Sequence, residues 1–171
     1  MTLQDELEHK DQWTKVSQKE LDRALDRHEA FVNNERDSER MQLNMHDLSY
    51  FDMAGRNLSR AELTGAVLAH ANLEGTILDD AILFASDLRY SNMTEASLNR
   101  ADLRGACLAG ASLSGAMMND VDMRDGVLLR SAAEGGDLTP LKHEEGLSGM
   151  QRTTIRGADM TGANLSANLI V

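Results

Sequence analysis

From Met41 to Arg130 the chain repeats every five residues. Leu or Met occupies one position of each five from Leu43 to Leu128, about 18 times without a gap. The residue two before it is mostly Ala, Ser or Thr, as in Ala61-Glu62-Leu63, Ala71-Asn72-Leu73, Ala101-Asp102-Leu103 and Ala111-Ser112-Leu113. A period of five fits neither the 3.6 of an α-helix nor the 2 of a strand, so each unit has to turn a corner. Two inward positions per unit, one large and one small, fill a narrow interior without voids. Gly at the fifth position, at Gly55, Gly65, Gly75, Gly105 and Gly115, suits the corner.

Before the array, residues 1–40 switch to a helical period. Ser17-Gln18-Lys19-Glu20 is a capping box, with Val16 and Leu21 at the positions of a hydrophobic staple. Leu21, Ala24, Leu25, His28, Phe31 and Val32 then share one face, while Asp22, Arg23, Asp26, Arg27 and Glu29 take the other. Asn33-Asn34 predicts the stop. A shorter helix over Thr2 to Trp13 is predicted from Leu3, Leu7 and Trp13. The apolar stripe needs cover, and the nearest apolar surface is the open end of the array. Its first turn carries the large residues His46, Phe51 and Arg56 where later turns are small, which suits an end meeting a cap. A helix that dimerises or docks on a partner is the alternative.

After Leu128 the register fails. Residues 131–147 contain Gly135-Gly136, Asp137, the chain's one proline (Pro140) and Lys142-His143-Glu144-Glu145. The period resumes at Ser148-Gly149-Met150 and continues through Thr153-Thr154-Ile155, Ala158-Asp159-Met160 and Ala163-Asn164-Leu165. A loop therefore leaves the array and returns to it. Long loops in compact domains are uncommon unless functional or disordered, so Asp137, Pro140 and His143 become candidate partner contacts. The last unit, Ala167-Asn168-Leu169, arrives one residue early and no capping helix follows. Either a second copy stacks on that end coil, giving a symmetric dimer, or the natural chain extends further.

The A-(D/N)-L-x-x pattern of Ala71-Asn72-Leu73 and Ala163-Asn164-Leu165 resembles the pentapeptide-repeat family over about three quarters of the chain. The resemblance implies an all-β solenoid, a right-handed quadrilateral β-helix with one unit per side and four per coil. It would have about 5 coils over residues 41–171, with residues 1–40 as an N-terminal α-helical cap. Leu48, Leu68, Leu88, Leu108 and Leu128 would then stack as one core ladder. On the outside, Arg60, Asp80, Arg100 and Asp120 would alternate charge along one corner, and Tyr50, His70 and Tyr90 would stack along another.

Departures from the pattern mark candidate sites. Outward positions that are usually polar hold Val67, Ile77, Ile82, Cys107, Met117 and Val127. Ile77, Ile82 and Phe84 fall on neighbouring sides of one coil, where they are expected to form an exposed apolar patch. Val67, Ile77, Ile82, Phe84 and Met117 join Asp137, Pro140 and His143 as the candidate partner-binding set.

Composition narrows the function. One cysteine among 171 residues allows no intrachain disulfide and suits a reducing compartment. The acidic N-terminus is unlike a signal peptide, and no apolar run is long enough for a bilayer, so a soluble, cytoplasmic protein is expected. A net charge of −11 argues against direct nucleic-acid binding. No phosphate loop, CxxC or HExxH occurs, and His9, His28, His46, His70 and His143 are scattered. Asp79-Asp80 is read as a solvated pair, and Ser131, Asp137 and His143 lack a scaffold for a triad. No enzyme and no cofactor are expected. A protein-interaction scaffold with an unknown protein partner fits best. The alternative is a DNA-mimic modulator of DNA gyrase, like the quinolone-resistance members of the family. Against it, His46 to Arg130 holds 12 acids and 7 arginines, where B-DNA of equal length carries about 12 phosphates. The Phe residues that such members often place at their middle coil centres are also missing.

Overall fold

The structure, a computed structural model, describes residues 13–131, 138–141 and 153–165. Its body is a four-sided prism wound from the five-residue units. Residues twenty apart pair in parallel along four walls: Gln42–Glu62–Ile82–Asp102–Asp122, Asp47–Val67–Asp87–Cys107, Asp52–Asn72–Asn92–Ser112 and Asn57–Ile77–Ser97–Met117. Each rung is bonded on both sides. Val67 N donates to His46 O at 2.9 Å, and Leu68 N donates to Asp87 O at 2.7 Å.

Corners follow from the same chemistry. Ala71 N donates to Leu68 O at 3.1 Å, closing a β-turn whose third residue, His70, has φ 60°. A positive φ at that position is the signature of a type II turn. Glycine adopts it freely, yet Tyr50, Arg60, Asp80, Tyr90 and Arg100 are held there as well. Two ladder bonds per unit and a filled interior hold these strained residues in place. Leu48, Leu68, Leu88 and Leu108 are all buried, each stabilising the prism by about 1.5–3 kcal/mol.

Among the described residues one helix, α1 (Gln18–Val32), lies against the first turn. Ser17 Oγ accepts from Glu20 N and the Glu20 carboxylate accepts from Ser17 N, forming the capping box. The helix ends at Asn33, and Asn34 follows at φ 56°. Leu21 and Leu25 are buried in the same apolar cluster as Met41, Leu48, Met53 and Leu58. Arg56 ties the helix down: Nε donates to Glu29 at 2.7 Å and Nη2 to Asp26 at 2.8 Å. Ahead of the helix, β1 (Thr14–Lys15) pairs in parallel with β2 (His46–Asp47), adding a rung below the Asp47 wall. Of the shorter helix predicted over Thr2 to Trp13, all but Trp13 lies outside the described residues.

The array leaves its twenty-residue register earlier than the sequence pattern indicates. Strand β3 (Asp122–Met123) is still in place, but Leu128 does not form the next rung of the ladder. After Asp125 the chain folds back along the corner formed by Gly105, Ala85, Gly65 and Met45. Gly126 lies against Gly105, Arg104 and Phe84. Leu128 is half-buried and sits with Leu141 over Gly65. This strap continues as β4 (Leu129–Ser131), paired antiparallel with β5 (Leu138–Pro140). Small corner residues let a second layer of chain lie close, and that packing diverts Leu128 from the core.

Stacking then resumes with Thr154 on Ser112, Asp159 on Met117, and β6 (Asn164–Leu165) on β3. The paired residues are now 42 apart. The excursion adds length without disturbing the walls below it.

Candidate functional site

Four flat walls and their corners are the surface available for recognition. Ile77 and Met117 lie on one wall with Ser97 between them, and both are exposed, at 37% and 47%. Ile82 is half-buried on the adjoining wall, between Glu62 and Asp102. The corner separating them carries Asp80 and Arg100, joined by two hydrogen bonds of 2.8 and 2.7 Å. The expected patch of Ile77, Ile82 and Phe84 is therefore split. Phe84 is covered by Gly126, and the Arg104 guanidinium stands 5.4 Å over its ring. Val67 is half-buried on a third wall, between Asp47 and Asp87. Pro140 is the last residue of β5, while Asp137 and His143 lie outside the described residues.

Charges on the walls are matched locally. In Asp87-Leu88-Arg89, Asp102-Leu103-Arg104 and Asp122-Met123-Arg124 the same fork recurs. The aspartate accepts from the arginine two residues on, through its backbone N, Nε and Nη2. The Arg124 guanidinium lowers the Asp122 pKa, and the two aspartates raise those of Arg104 and Arg124. Asp87 and Arg89 are buried although their positions point outward. The thrice-repeated D-(L/M)-R triplet is the sequence signal for this pairing. Asp79, the other half of the acidic pair, accepts from Ser97 Oγ at 2.6 Å and Asn99 N at 2.9 Å. It is a structural acceptor on the wall.

At another corner, Tyr50, His70 and Tyr90 stack with centroids 4.8 and 4.9 Å apart, the rung spacing of the array. Tyr90 lies flat against Gly110, where a methyl group would collide with its ring. Trp13, singled out in the sequence only as an apolar anchor, donates from Nε1 to Gly65 O at 2.7 Å. The strap residues Leu128 and Leu141 lie over the same glycine.

Among the described residues no group of three His, Cys, Asp or Glu side chains is placed to hold a metal ion. Among them, too, no helix is long and apolar enough to cross a membrane.

These features define a parallel, four-sided β-solenoid with a helix against its first turn. The model of pentapeptide repeats matches residues 47–83 and 81–120 in 8 copies. Residues 47–120 thus carry pentapeptide repeats, and the chain shares its fold with pentapeptide repeat proteins. It is similar to a pentapeptide repeat protein of the Arabidopsis thaliana thylakoid lumen, with 26% identity and a TM-score of 0.56 over 71% of this chain and 70% of that one. It is similar also to a pentapeptide repeat protein of Nostoc PCC 7120, with 26% identity and a TM-score of 0.50 over 57% of this chain and 77% of the other. A plasmid-mediated fluoroquinolone resistance protein overlaps it at 12% identity and a TM-score of 0.26, over 77% of this chain and 65% of that one. Comparison with curated proteins gives no match.

Proposed function

We propose that this chain is a non-enzymatic protein-interaction scaffold, with α1 capping one end of the array. The observation that carries the reading is the exposed pair Ile77 and Met117 on one rigid wall. Isolated apolar residues on a surface need no explanation. Two on one flat wall, in a prism whose backbone bonds fix their spacing, make a preformed contact for a partner's apolar side chains. Ile82, beyond the Asp80–Arg100 corner, lies outside this contact. Ile155, at a central position of the resumed register, is also exposed and offers a seat for a second copy. The test is Ile77→Asp with Met117→Asp in affinity capture from the native cell. Binding should fall at least tenfold while thermal unfolding stays unchanged. Undiminished capture would remove this wall as the contact, and sedimentation at rising concentration checks the dimer.

A DNA-mimic modulator of gyrase is the second reading, favoured by the net charge of −11. Wall chemistry runs against it. Asp80, Asp87, Asp102 and Asp122 are each paired to an arginine, which breaks any continuous acidic stripe. Gyrase supercoiling measured with micromolar protein decides: inhibition would favour mimicry over the apolar wall.

A further inference from the structure

The wall that carries Ile77 and Met117 reads, rung by rung, Asn57, Ile77, Ser97, Met117 and Asp159 in its first outward column. Its second outward column, two residues on in each rung, is Ser59, Asp79, Asn99, Asn119 and Thr161. Ser97, in the middle rung, is small and buried, so the exposed Ile77 and Met117 stand on either side of a shallow step.

Inverted about its middle rung, this wall complements itself. A twofold axis along the Ser97 rung sets Ile77 against Met117 of a second copy, and Met117 against that copy's Ile77. In the same operation Asn57 meets Asp159, Asp79 meets Asn119, and Ser59 meets Thr161. Ser97 and Asn99 meet their own equivalents. Each apolar residue thus faces an apolar one, and each aspartate faces an amide. The polar groups these contacts need are available. Asp79 Oδ1 accepts from Ser97 Oγ at 2.6 Å and Asn99 N at 2.9 Å, while Oδ2 accepts nothing among the described residues. Asn57 Oδ1 accepts from Ser59 N and Oγ, which leaves Nδ2 to donate outward. On the flanking corner Arg100 is turned along its own ladder to Asp80.

Among the described residues the other three walls lack this property. About the Ile82 rung the same operation opposes Glu62 to Asp102, and Gly126 already covers Phe84 there. On the Asp47–Val67–Asp87–Cys107 wall it opposes Val67 to Asp87. The Asp52–Asn72–Asn92–Ser112 wall has no large apolar side chain. An axis along the prism, which would lay two copies parallel through the Ile77 wall, sets Ile77 against Asp79 and fails as well.

We propose that the Ile77–Met117 wall is a self-complementary interface, across which a second copy of this chain packs antiparallel. The proposal rests on this wall being the contact surface and names its occupant. Such a pairing is isologous and closes at two copies. A face of five rungs, about 20 Å tall, buries less than the roughly 800 Å² per partner of a standard interface, so the dimer is reversible and concentration-dependent. Polar complementarity fixes its register, because a slip by one rung would put Ile77 against Ser97 and leave Met117 facing Asn57 or Asp159.

Sedimentation of the full chain from micromolar to millimolar concentration tests it. Ile77→Glu and Met117→Lys, both at exposed positions, should each weaken dimerisation about tenfold without changing thermal unfolding. An equimolar mixture of the two variants should dimerise again, because the introduced acid and base then face each other across the axis. No recovery in the mixture overturns the antiparallel register. A dimer that Ile77→Glu leaves intact puts the second copy elsewhere and overturns the interface. A monomer at every concentration overturns it too. If that monomer still loses its capture of a cellular protein on Ile77→Asp with Met117→Asp, the wall remains a contact for a different partner; undiminished capture removes both readings.

Discussion

The backbone N–H of Met41 donates to Nδ1 of His28 at 2.9 Å, joining the buried face of α1 to the first residue of the array. That bond requires the imidazole to be neutral at Nδ1. His28 is fully buried, and burial lowers its pKa, reinforced by the positive charges of Arg40 and Arg60. An unfolded histidine titrates near pH ~6.5. Above that pH both states are neutral and the stabilisation is fully present. As pH falls through ~6.5 the unfolded chain takes up a proton that the folded chain refuses, and stability declines until the lowered folded pKa is reached. The urea midpoint should therefore drop between pH 7.5 and 5.5, and His28→Gln should flatten that dependence. An unchanged midpoint in the wild-type chain would contradict the assignment.

Glu29 and Arg56 form the other fastening between helix and array. Glu29 Oε1 accepts from Arg56 Nε at 2.7 Å and from Asn57 N at 3.2 Å. The Arg56 hydrogen bond lowers the Glu29 pKa, so this contribution is present above the ordinary glutamate range and is lost as pH falls through the lowered value. Both side chains are about a third exposed, so solvent screens part of the attraction. Glu29→Ala should cost about 1–2 kcal/mol in chemical denaturation. A double-mutant cycle with Arg56→Ala should recover part of that as coupling energy, and zero coupling would show the pair to be decorative.

Two glycine corners separate strain from packing. Gly75 and Gly105 both have positive φ, 62° and 68°. A methyl at Gly75 meets nothing within 4 Å, whereas one at Gly105 would run into the Gly126 carbonyl. Gly75→Ala should lose only the left-handed penalty, about 1–2 kcal/mol. Gly105→Ala should add displacement of the strap, seen as faster hydrogen exchange at Leu128 to Ser131. Equal exchange in the two variants would place the strap elsewhere.

Leu108 and Leu128 look alike in sequence and differ in the fold. Leu108 is 1% exposed inside the prism, while Leu128 lies half-buried outside it. Leu108→Ala should cost about 3–5 kcal/mol. Leu128→Ala should cost about 1–2 kcal/mol, in proportion to the smaller area it buries. Thermal unfolding of the two variants distinguishes a continuous ladder, which predicts equal losses, from the observed departure.

The period-five spacing of Leu43 to Met123 determined the prism, because only a chain that turns a corner every fifth position keeps Leu and Ala facing one axis. It also determined α1, whose Ser17–Glu20 box and Leu21, Leu25, His28 stripe are local signals. Column chemistry was legible too. Once residues twenty apart stack, Tyr50, His70 and Tyr90 are bound to meet, as are Asp80 and Arg100. The candidate site was legible only in part. Ile77 and Met117 stood out as apolar residues in outward positions, but which apolar positions remain open depends on what lies over them. That cover is a second layer of chain, and packing against Gly65 and Gly105 leaves no periodic trace in the sequence. Tertiary structure alone decided that Gly126 covers Phe84, that Trp13 reaches Gly65, and that Leu128 leaves a ladder it fits by pattern. The period fixes which side of the wall a residue faces, and long-range packing fixes whether that side is exposed.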